Sequence, residues 1–83
     1  MAEHVIVISP APARSGRFDA RLADSDCFLV EGTRMPFGDA ARALLAGGLA
    51  APSDVLVMRH AGSNRDLLRC GIGVAVELTR EVA

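Results

Sequence analysis

The segment RMPFGDAARALLAGG, residues 34 to 48, narrows the folding choices of this chain more than any other. Phe37, Ala40, Ala41, Leu44 and Leu45 recur at the spacing of one helical face. Pro36 suits a first helical position, where no amide partner is needed, and Asp39 in the opening turn complements the positive end of the helix dipole. Gly47 or Gly48 supplies the stop, because glycine accepts the left-handed conformation that ends helices. The pattern predicts a helix from Pro36 to Ala46, and the small residues at 40, 41 and 43 let it lie close on a sheet.

The material for that sheet lies on both sides of the helix. Val5-Ile6-Val7-Ile8 is a β-branched run stopped by Pro10 and Pro12, which predicts a strand from His4 to Ser9, buried on both faces or set at an edge. SPAPARSG, residues 9 to 16, is a loop by its proline, serine and glycine content. From Arg17 the chain alternates, with Phe18, Ala20 and Leu22 pointing one way and Arg17, Asp19 and Arg21 the other. Asp24-Ser25-Asp26 supplies turn chemistry before Cys27 to Glu31, so a hairpin is expected. Val55 to His60 forms a further strand.

The C-terminal third fits two periods. Ser63-Asn64-Arg65-Asp66 has the form of a capping box, and Leu67, Leu68, Gly71, Ile72, Ala75 and Val76 then make a helical stripe. Ile72, Val74, Val76 and Leu78 also alternate as a strand does, and Gly71 and Gly73 are poor helix residues. The cap is a second, independent signal, so the expectation is a helix from about Asn64 to about Ala75 and an extended end at Glu77 to Thr79. The 83 residues leave room for one domain with one core. The expected fold is α+β: a small, mostly antiparallel sheet of three to four strands, one core helix and a C-terminal helix. Such a sheet invites homodimerisation through an edge or an uncovered face.

Composition removes several function classes. The net charge of −1 gives no general attraction to nucleic acid or anionic membrane. All nine basic residues are arginine, which GC-rich coding explains, although arginine also suits bidentate contacts to carboxylate and phosphate. Cys27 and Cys70 form no metal-ligand or redox spacing, even with His4 and His60 counted, so neither a metal nor another cofactor is expected. The N-terminus has no signal-peptide pattern, and no run approaches the ~20 apolar residues needed to cross a bilayer. A reducing cytoplasm with free thiols is therefore expected. Walker, dinucleotide, zinc-protease and Ser-His-Asp patterns are missing, and the three phenylalanines look internal rather than arranged for base stacking.

VLVMRHAGS, residues 55 to 63, resembles the strand-to-turn motif of the histidine phosphatase superfamily, in which the histidine becomes phosphorylated. The resemblance implies that His60 needs a second histidine and a second arginine from farther along the chain. Only 23 residues follow His60 and none is histidine, so the match is read as coincidental and no enzyme is expected. A longer stretch, Arg34 to Thr79, is similar to short uncharacterised proteobacterial proteins with a Pro-Phe-x-Asp-Ala-Ala-Arg helix and an Arg-His-Ala-Gly-Ser turn. That resemblance implies no activity. It departs from the group's pattern at Met35, where a serine or threonine cap is expected.

Three functional expectations follow, in order of rank. The first is a non-enzymatic interaction protein that binds a larger macromolecular partner, as small regulators and mobile-element inhibitors, including anti-CRISPR proteins, do. The second is a nucleic-acid or anion binder that uses Arg59, His60, Ser63, Arg65 and Arg69, with the backbone around Gly62 and Ser63 at a helix start holding the anion. A minimal phosphotransfer enzyme ranks third.

Overall fold

The computed structural model describes residues 2–13 and 15–79. Strands β1 (Glu3–Pro10), β2 (Phe18–Leu22) and β3 (Phe28–Thr33) are followed by helix α1 (Pro36–Ala46). Strands β4 (Val55–His60) and β5 (Leu68–Gly71) then lead into helix α2 (Ile72–Leu78). All five strands form one mixed sheet in the order β3-β2-β1-β4-β5. The expected sheet is thus one strand or more too small. β1 lies at its centre, antiparallel to β2 and parallel to β4, while β2–β3 and β4–β5 are antiparallel pairs. The run from β3 through α1 to β4 crosses behind the sheet, as a parallel connection requires.

Strand alternation sends one set of residues toward the helices. Ile6 and Ile8, Ala20, and Leu56 and Met58 meet Phe37, Ala40, Ala41 and Leu44 of α1 and Ile72 and Ala75 of α2 in a single core. Both helices therefore lie on the same face. Helix α1 has the predicted bounds, and Met35 at its N-cap makes no side-chain cap bond. Thr33 ties the approach to the helix: its hydroxyl donates to the Asp39 carboxylate and accepts from the Met35 amide at 3.0 Å. At the other end Gly48, at φ +69°, lets its own amide reach Leu45 O and the Leu49 amide reach Leu44 O, closing the last turn. Gly38 lies so near α2 that a Cβ there would sit 1.9 Å from Thr79 Oγ1. Arg42 fastens the same contact by donating to Val76 O and Thr79 O at the C-terminal end of α2.

The segment after β4 corrects the expected helix from Asn64 to Ala75 and the extended end at Glu77 to Thr79. Residues 61–67 form a turn in which Ser63 Oγ accepts from the Arg65 amide at 3.1 Å, so Ser63 closes a local turn and caps no helix. Leu68–Gly71 pairs with β4, and the helix starts only at Ile72. Its first amides find backbone acceptors in the loop before β4, Ile72 N–H to Asp54 O and Gly73 N–H to Pro52 O. Gly73 passes so close to Pro52 O that a Cβ would stand 3.3 Å away, which accounts for a glycine inside a helix. Leu67 and Leu68, read in the sequence as part of a helical stripe, are exposed at 45% and 50%. Phe28 is exposed as well, unlike buried Phe37 and half-buried Phe18.

Candidate functional site: the open face of the sheet

The second set of strand residues faces away from both helices. Register places Arg21, Val7 and Arg59 in one row across β2, β1 and β4, and Val5, Val57 and Arg69 in the next across β1, β4 and β5. Glu3 and Val55 follow in a third row. Arg21 and Arg59 are thus two strand spacings apart, about 10 Å, with Val7 between them. Val57 is fully buried although it is absent from the helix-side core. Its neighbours by register on the open face are Val5 and Arg69, which flank it across the sheet, and Arg59, two residues along. Long arginine stems can shield such apolar surface while their charged heads stay in water.

The cations of this face are held loosely. Arg59 Nε donates to Asp66 Oδ1 at 2.7 Å, and Arg69 pairs with Glu3, which together with the nearby Asp66 raises the guanidinium pKa above its ordinary value. Both pairs are exposed and screened by water, so each is weak and readily exchanged. Among the described residues, Arg21 donates to neutral acceptors alone, Leu22 O and Ser25 O, at 3.4 and 3.3 Å. The face offers a valine centre bordered by three guanidinium groups, two with exchangeable carboxylate partners.

The sequence-derived site residues divide between different surroundings. Arg59 and Arg69 share the open face. His60 has the opposite parity and is exposed at the end of β4, while Ser63 and Arg65 lie in the following turn. The helix start that was to hold an anion there does not form. His4 and His60 are separated by four positions along the paired strands β1 and β4, about 13 Å. His4 is also engaged elsewhere: its Nε2 lies 2.9 Å from Asp54 Oδ2. Asp54 accepts from the Ala51 amide too, and from that of Ala2, and these bonds together lower its carboxyl pKa to about 2. The pair is a latch between the starts of β1 and β4. Among the described residues, no three histidine, cysteine, aspartate or glutamate side chains converge as a metal site requires. Cys27 and Cys70 are free thiols, and no described helix is long and apolar enough to cross a membrane.

Sequence reading finds Arg59 and Arg69 but not Arg21, Val5, Val7 or Val57 as their companions. Alternation in β2 does put Arg21 on the face away from Ala20, yet nothing local says that β1 stands between β2 and β4. No family model matches the chain, and no curated protein or solved structure matches it significantly.

Proposed function

We propose that this protein is a small non-catalytic binding module that docks its open sheet face on a larger protein. The observation carrying this reading is the one-sided arrangement of the helices, which leaves Val5, Val7 and Val57 framed by Arg21, Arg59 and Arg69. Arginine is enriched in protein interfaces and supplies many of their strongest contacts. Charge complementarity selects a partner surface with an apolar strip bordered by carboxylates, which can replace Asp66 and Glu3 as the acceptors of Arg59 and Arg69. Such docking suits a regulator or a mobile-element inhibitor that acts by occupying its target's surface.

Capture on the immobilised chain and mass spectrometry would name a candidate partner, which is then purified and titrated. Replacing Arg59 and Arg69 together by serine is expected to weaken binding by roughly tenfold or more. Arg34→Ala, away from this face, should bind as the unchanged chain does, and amide exchange in β1 and β4 should slow in the complex. A footprint on α1 instead, or an open face covered only by a second copy of this chain, overturns the reading. Nucleic acid is the competing occupant for the same arginines. Binding to RNA or DNA that weakens steeply between two salt concentrations would favour it over a protein.

A further inference from the structure

A second feature lies at the β3 edge, beside the start of α1. A groove of about 780 Å³ is lined there by Arg17, Glu31, Arg34, Asp39 and Arg42, among others. We propose that it binds an oxyanion, a phosphate or a carboxylate, carried by a small polar molecule. The site is separate from the open sheet face and stands or falls independently of the docking reading.

The five charges do not act alike. Arg42 is engaged by the Asp39 carboxylate at 3.0 Å and by the carbonyls of Val76 and Thr79, so it belongs to the α1–α2 contact. Asp39 is occupied in turn by Arg42 and by the Thr33 hydroxyl. This pair is internally neutral. Arg17 donates to Gly32 O at 2.8 Å, a neutral acceptor that orients the guanidinium without cancelling its charge. Arg34 is exposed and makes no side-chain hydrogen bond or ion pair among the described residues. Among the described residues, two guanidinium groups without a carboxylate partner therefore border the groove, and Glu31 is the carboxylate not already paired there.

That balance defines a ligand class. Planar guanidinium forks match the oxygen pairs of phosphate and carboxylate, and such charge-assisted bonds are about twice as strong as neutral ones. The volume lies within the roughly 300 to 1,000 Å³ of small-molecule sites. Glu31 disfavours a ligand that is anionic throughout and accepts from a hydroxyl or amine on the same molecule. Arg17 is held in advance by Gly32, while Arg34 is free to close on the ligand.

The probes are inorganic phosphate and acetate, titrated separately into the full chain labelled with nitrogen-15. The expected result is saturable shifts of the Arg17 and Arg34 side-chain N–H signals and of the amides from 31 to 35. Arg34→Ala, which removes no side-chain hydrogen bond or ion pair among the described residues, should weaken binding about tenfold. Glu31→Gln should strengthen it a fewfold by removing the opposing charge. Arg59→Ala should leave it unchanged. Tighter binding of phosphate identifies a phosphorylated ligand, and equal or tighter binding of acetate a carboxylate. Shifts that do not saturate, that persist unaltered in Arg34→Ala, or that centre on Arg59 and Arg69 would overturn the site.

Discussion

The two faces of the sheet are built from the same strands and differ only in parity, yet they are stabilised in different ways. On the helix face, Ile6, Leu56 and Leu44 are wholly buried and packed by residues brought from α1 and α2. On the open face, Val57 is equally buried, but it lies outside the helix-packed core and its neighbours by register are Val5, Arg59 and Arg69. Low exposure therefore has two meanings in this protein. One is a close-packed core between sheet and helices, and the other is an apolar strip shielded without a second layer.

The contrast can be tested most forcefully by truncation. Leu44→Ala, which leaves a cavity between α1 and the sheet, is expected to cost about 2 to 5 kcal/mol in urea unfolding. That is a large share of the stability of a domain this small. Val57→Ala should cost less, about 1 to 2 kcal/mol, because mobile arginine stems can settle into the space. A loss equal to that of Leu44→Ala would mean that the open face is a second rigid core and not a shielded strip.

The latch at the base of the sheet offers a smaller, pH-dependent test. The Asp54 carboxyl is lowered from 3.8 to about 2 by the Ala51 amide, His4 and the Ala2 amide. Because the folded value lies below the unfolded one, the stabilisation is present above pH 3.8 and disappears as pH falls through about 2. Thermal unfolding midpoints should therefore fall more steeply over that interval in the unchanged chain than in Asp54→Asn. Parallel curves would show that the latch contributes nothing. The smallest effect belongs to the open-face cations. Arg59→Ala should alter stability by less than about 1 kcal/mol, since its pair with Asp66 is exposed. The unfolding midpoint checks this, and a larger loss would assign Arg59 a structural role.

Legibility followed the range of the interactions. Helix α1 was readable to the residue because its proline start, apolar stripe and glycine stop are all local. The β2–β3 hairpin and β4 were readable for the same reason. The segment from 61 to 78 was not. Ser63, Arg65 and Asp66 satisfy a helix-cap pattern, but Ser63 serves the Arg65 amide and Asp66 the Arg59 side chain. Of the candidate site, Arg59 and Arg69 could be nominated as charged residues near one turn. Their valine neighbours and Arg21 could not, because they meet through β1, which pairs with β4 from about 50 residues away in sequence.

The sequence by itself determined which residues alternate, where α1 begins and ends, and which apolar residues need burial. Those properties arise from side-chain period and backbone preference over a few residues. Only the tertiary structure decided that β1 is central and parallel to β4, that residues 68–71 become an edge strand, and that α2 starts at Ile72. Each depends on a backbone group finding a distant partner, such as the Ile72 amide on Asp54 O, and local sequence patterns contain no record of such partners. The same long-range pairing turned separate valines and arginines into one open face.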